Sequence, residues 1–226
     1  MWKDYSTTFL LKFHRNRMTN SIDPRKIDLN QLVIGGFTVL DVQVPFDITA
    51  KDFLDSASED LAGQSTRDTI NALGNIKRTI DCLFDSLLFA LNFLEYSKRE
   101  RWSFPEKMNF LSEIGIITPY ILGRINTTRN LLEHEFKKPN RTEVETAYDV
   151  AALLFYATVR FTKGFTDILD LETEDRKWQI EIRIDREKRR IDVLHNEYEF
   201  SVTWDQNPED YKRWLNVVFQ AMYHNL

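Results

Sequence analysis

Between Ser65 and Arg99 apolar residues recur in alternating steps of three and four: Ile70, Leu73, Ile80, Phe84, Leu87, Leu91 and Leu94. That period keeps one face of an α-helix continuously apolar over many turns, and few other conformations satisfy it. Lys77 interrupts the seam, while Ile76, Leu83, Leu88 and Phe89 widen it. A stripe this broad predicts a helix surrounded by other helices in a bundle, and not one merely laid on a surface.

The neighbouring segments supply partners for such a bundle. Thr49 is placed to cap a short helix over Thr49 to Gly63, with Phe53, Leu54, Ala57 and Leu61 on one face. Ser103-Phe-Pro-Glu106 has the form of a capping box, and Thr118-Pro119 supplies an N-cap and a first-turn proline for a helix expected to run to about Lys138. Pro139 then ends it. Thr142-Glu-Val-Glu145 is expected to open a further helix through Val144, Tyr148, Ala151, Phe155 and Val159. Four helices are therefore predicted between Ser65 and Leu171.

Strand signals flank this region. Gln31 to Phe46 reads as two β-branched runs around Gly35-Gly36, a pair suited to a two-residue hairpin turn. After Glu172, Trp178, Ile180, Ile182 and Ile184 alternate with Gln179, Glu181 and Arg183 as in a half-buried strand. Ile191 to Leu194 and Tyr198 to Trp204 read as further strands. Asn207-Pro208 then opens a last helix with Tyr211, Trp214, Leu215, Val218 and Met222 inward. The expected fold is α+β: an all-α bundle core over 65–171, an N-terminal extension over 1–64 with a β-hairpin and a short helix, and a C-terminal annex of antiparallel strands and a helix over 172–226.

Composition narrows the class. At 226 residues, 42% hydrophobic and 29% charged, the chain is globular in type. The single cysteine, Cys82, forms no internal disulfide and falls within the apolar helical pattern, as expected for a protein of a reducing, cytoplasmic compartment. No secretion signal is evident in the first twenty residues. The most apolar stretch, Leu87 to Leu94, is far shorter than the roughly 20 residues that cross a bilayer, so no membrane partner is expected.

Glycine patterns for phosphate cradles are absent, as are a nucleophile elbow and zinc-type ligand spacing, and no cofactor is expected. The net charge of −5 excludes coating nucleic acid through bulk electrostatics, so any RNA site has to be local.

One local cluster stands out: Asn126-Thr-Thr-Arg129-Asn130-Leu-Leu-Glu133-His134. At about 100° per residue, Asn130 and His134 lie about 40° apart on a helix, and Arg129 and Glu133 form an i,i+4 pair. Arg129 and His134 are about 140° and about 7.5 Å of rise apart, so they converge only if the long arginine wraps round the helix or a second chain contributes. Arg124, Arg129, Lys137, Lys138 and Arg141 face only Glu133 and Glu135 between positions 124 and 141, a basic island on an acidic chain. A second basic stretch, from Arg176 to Arg190, is more often a solvated hairpin face. His14, His195 and His224 have no comparable company.

The cluster resembles the motif of HEPN domains, helical bundles marked by an arginine, a polar neighbour and a histidine a few positions later. Here these are Arg129, Asn130 and His134. The stretches Asn71 to Cys82, Leu111 to Ile116 and Glu143 to Asp149 also look like family segments, so the resemblance covers Ser65 to Leu171. It implies a metal-independent ribonuclease whose site forms at a dimer interface, of the kind found in toxin and defence systems. Arg129 would hold the scissile phosphate and His134 would move a proton. Asn126, Asn130, Glu133, Lys137, Lys138 and Arg141 would support or bind. The implied partners are RNA, a second copy of the chain and an antitoxin or other protein. In one branch of the family a tyrosine two residues after the histidine is adenylylated by a partner enzyme; this chain has Phe136 there, which lacks the hydroxyl. An inactive module that binds RNA or a nucleotide, and a protein-interaction subunit, are the alternative readings.

Overall fold

The computed structural model describes residues 22–118, 123, 140–195 and 198–224. Two short 3-10 turns, Pro24–Lys26 and Leu29–Gln31, lead into strand β1, Val33–Asp41. Helices α1 (Ala50–Ala62), α2 (Thr66–Ala90), α3 (Leu94–Arg99) and α4 (Phe104–Glu113) follow. Helix α5 (Arg141–Lys163) runs directly into β2 (Gly164–Glu172), then come β3 (Gln179–Asp185), β4 (Arg190–His195), β5 (Tyr198–Thr203) and α6 (Pro208–His224).

The helix starts follow local chemistry. Thr49 and Asp52 cap α1 reciprocally, and Ser65 with Asp68 and Ser103 with Glu106 do the same for α2 and α4. Helix α5 starts one cap earlier than expected, because Asn140 accepts from the Thr142 amide at 3.0 Å and takes the N-cap position from Thr142.

Helix α2 buries twelve residues, but it stops at Ala90 instead of reaching Arg99. Asn92 adopts a left-handed conformation (φ 59°), the Phe93 amide donates back to Leu88 O at 2.7 Å and the Asn92 amide to Phe89 O at 2.9 Å. This is a Schellman stop with asparagine in the position glycine usually fills. The stop turns Phe93 into an aromatic cluster with Phe110 and Trp204, each 4.8 Å away between ring centroids, and Phe93 is fully buried. Ile70, placed on the seam by periodicity, is 44% exposed.

Two further expectations are corrected. Gly35-Gly36 does not turn a hairpin: both lie within β1, which pairs antiparallel with β2 on either side of a register shift at Gly35. Neither has a positive φ; what they provide is room. A Cβ on Gly36 would come within 3.2 Å of Asp170 Oδ2, and one on Gly35 within 3.1 Å of Glu172 Cδ, both side chains from the neighbouring strand.

The all-α bundle core is also corrected. Residues 164–171 are strand, because Phe165, Leu169 and Leu171 are buried from a chain that is extended from Gly164 onward. The molecule is a mixed α/β fold with one five-stranded antiparallel sheet in the order β1-β2-β3-β4-β5. Its core-facing residues, among them Leu169, Ile180, Ile182 and Val193, belong to the same apolar cluster as Leu83, Leu87 and Leu154 of the helices and Trp214 and Leu215 of α6. The strands are thus part of the core and not an annex to it. Among the described residues no helix is long and apolar enough to cross a membrane.

Candidate functional site

Asn126, Arg129, Asn130, Glu133, His134, Lys137 and Lys138 lie outside the described residues. Arg141, the last member of the basic island, is described. From the first turn of α5 its Nη1 donates to Gly63 O at 2.6 Å, its Nη2 donates to Leu61 O and its Nε donates to Glu145 at 2.8 Å. A cation at the carbonyl end of α1 satisfies acceptors that the helix cannot satisfy itself and opposes the negative end of its dipole. Arg141 therefore ties the start of α5 to the α1–α2 turn. Hydrogen bonds from Ser65 hold the Asp68 carboxyl at that turn below its ordinary range, with smaller contributions from Arg67 and Arg141.

The basic stretch from Arg176 to Arg190 is largely committed within the sheet. Arg176 pairs with Glu172 at 3.2 Å, Lys177 with Asp175 at 2.9 Å, Arg183 with Glu181, Lys188 with Asp185 at 2.9 Å and Arg190 with Asp192 at 3.0 Å. Arg186 lies over the Phe165 ring, 5.3 Å from its centroid, and burial lowers its pKa. Arg189 lies over Tyr96 at 4.8 Å and Phe93 at 5.6 Å. Such pairing leaves little free charge for phosphate contact. His195 stacks near Trp178, centroids 5.0 Å apart, with Nδ1 at 2.9 Å from Gln179 O, a packing role. Cys82 is half-buried in α2, and burial pushes its thiol up, away from reactivity.

A cleft of about 450 Å³ opens where the first 3-10 turn faces β5 and the start of α6. Asp23, Arg25, Phe200, Ser201, Asp210 and Trp214 contribute to its walls. Sequence reasoning missed it because its two sides come from opposite ends of the chain. The charges in it are internally matched: Arg25 hydrogen-bonds Asp23 and holds that carboxyl down at about 2, while Asp210 accepts from Arg213 at 2.7 Å and from Asn207 at 2.8 Å. The Ser201 hydroxyl in its wall donates to Asp192 Oδ1 at 2.5 Å, a carboxylate that Arg190 also pairs at 3.0 Å. Among the described residues no group of three or more His, Cys, Asp or Glu is arranged to hold a metal ion.

No family model matches the chain, and no curated protein or solved structure matches it either.

Proposed function

We propose that this chain is a metal-independent endoribonuclease that works as a homodimer, with its chemistry in the segment from Asn126 to His134. The reading rests on the residue types of that segment and on its resemblance to the HEPN motif; it does not rest on an all-α bundle. The observation that supports it most is the basic character of that stretch of sequence, Arg124, Arg129, Lys137, Lys138 and Arg141 against Glu133 and Glu135. Arg141, seven positions beyond His134, is committed to the fold: it is tied by hydrogen bonds to the α1–α2 turn. The other four cations supply, in sequence, the local positive charge that an acidic protein needs to attract a phosphodiester.

In the proposed reaction the ribose 2′-oxygen attacks the adjacent phosphorus and gives up its proton to a base. The P–O5′ bond breaks, the leaving oxygen takes a proton, and a 2′,3′-cyclic phosphate remains. An imidazole with an ordinary pKa of about 6.5 carries protons in both directions near neutrality, which is the role of His134. The permanently charged fork of Arg129 neutralises the phosphorane as charge builds on it. Asn130 orients one of these groups, and Glu133 holds Arg129.

The test is cleavage of a mixed RNA by the purified protein with a chelator present, followed by end-group analysis. Arg129→Ala and His134→Ala should each lower the rate by about 10²- to 10⁴-fold, with His195→Ala as the unaffected control. If both variants fold and cleave like the parent, the site is elsewhere; if the parent binds RNA without cutting it, the protein is a binding module.

A further inference from the structure

We infer that the free edge of β1 is a self-association surface, and that the occupant of this edge is the β1 of a second copy. The inference shares the homodimer with the reading above, but not its chemistry.

Among the described residues β1 has a neighbour on one side only, and its other side is an edge of the sheet. Val33 to Leu40 contains no charged residue, yet Phe37 is 52% exposed, Val39 50%, Leu40 45% and Val33 37%. Sheet edges in monomers are ordinarily guarded by charge, proline or a covering element, because unpaired amides and carbonyls are a template for another strand. Of the two register shifts against β2, one skips Gly35 and the other skips Asp167 on β2, so Gly36 to Asp41 stays continuous. Phe37 is paired with the buried Leu169 and shares its face, so half of this phenylalanine lies exposed where the core side of the sheet runs out.

The uncharged run from Val33 to Leu40 can lie against its own copy without charge repulsion, with Asp41 at its end. The far edge, β5, does not qualify: Phe200 to Thr203 face the Ile22–Arg25 segment across the cleft. Pairing β1 to β5 of successive copies would also build an open filament. Antiparallel β1–β1 pairing about a two-fold axis uses each β1 edge once and closes. It continues the backbone ladder across both copies and brings their Phe37 side chains onto one apolar surface.

The experiment is light scattering and sedimentation of the full chain up to about 100 µM, a range in which even a small interface associates. The parent should be a dimer. Phe37→Lys and, separately, Leu40→Lys should shift it to monomer while the far-ultraviolet circular dichroism stays unchanged; each places a lysine ammonium on a half-exposed edge position. A monomeric parent, or a dimer that persists in a folded lysine variant, overturns the inference. RNA cleavage by the monomeric variants separates the two readings. Monomers that cut normally leave the β1 interface standing and remove the composite active site. Monomers that lose cutting by more than about 10²-fold show that the same dimer serves both.

Discussion

The guanidinium of Arg141 closes the C-terminal end of α1 by donating to the carbonyl of Gly63 at 2.6 Å, a link between segments 78 positions apart. The bond fastens three helices at one point, since α1 ends, α2 begins and α5 begins around it. Its side chain is one-third exposed, so solvent weakens the pairing with Glu145 more than the bonds to the carbonyls.

Arg141→Ala should therefore cost about 2 kcal/mol, because it strips charge-assisted hydrogen bonds from two helix-end carbonyls. Urea unfolding checks this. Arg141→Lys, which keeps the charge but loses the fork, should recover less than half of the loss. A parent-like midpoint for Arg141→Ala would mean that water replaces the bonds without cost.

Two glycine-to-alanine changes should act with opposite signs. Gly115, with φ at +83°, ends α4, and a Cβ there would sit 2.8 Å from Asn216 Nδ2 and 2.9 Å from Gln220 Nε2. Gly115→Ala should lower stability by about 1–3 kcal/mol through backbone strain and displaced side chains. Gly74 lies inside α2, with nothing nearer its Cβ position than Arg78 Nη1 at 3.9 Å. Gly74→Ala should raise stability by about 0.5–1 kcal/mol, since alanine loses less chain entropy in a helix. Thermal melts of the two variants should bracket the parent.

Asp170 should impose a pH dependence. Burial raises its pKa first, and Glu181, directly opposite on β3, and Glu172 raise it further against the opposing pull of Arg183. Because the folded value exceeds the ordinary 3.8, the folded state holds this proton more tightly than the unfolded chain does. Its contribution to stability is complete below 3.8 and is lost as pH rises through the raised folded value. Asp170→Asn should consequently melt higher than the parent at pH 7, by on the order of 1–2 °C given solvent screening, with the gain vanishing near pH 3. An unchanged gap across that range would show that Asp170 is not the titrating group.

The reading of the fold from sequence succeeded where a local rule decided the outcome. Thr49 and Ser103-Phe-Pro-Glu106 are self-contained caps, and the alternation of Ile180, Ile182 and Ile184 announces a strand buried on one face. It failed where a distant partner decided. Gly35-Gly36 carries a turn signature, but Asp170 and Glu172 lie across from it and turn the glycines into clearance in a ladder. The stop at Asn92 depends on burying Phe93 among rings drawn from α4 and the loop after β5. At the candidate site, charge counting marked Arg141 as a supporter of RNA contact, and nothing local reveals that the carbonyls of Leu61 and Gly63 occupy it.

The pairing of β1 with β2 also governs the order in which the molecule can be assembled. Asp41 is matched with Gly164, so β1 leaves the ribosome long before its internal partner is synthesised, while the α1–α2 hairpin needs only neighbouring sequence. For that interval a strand that is apolar and uncharged from Val33 to Leu40 stands unpaired on every nascent chain. Polysomes bring several such chains together, so the segment proposed to join copies is also the one most exposed to premature pairing during translation.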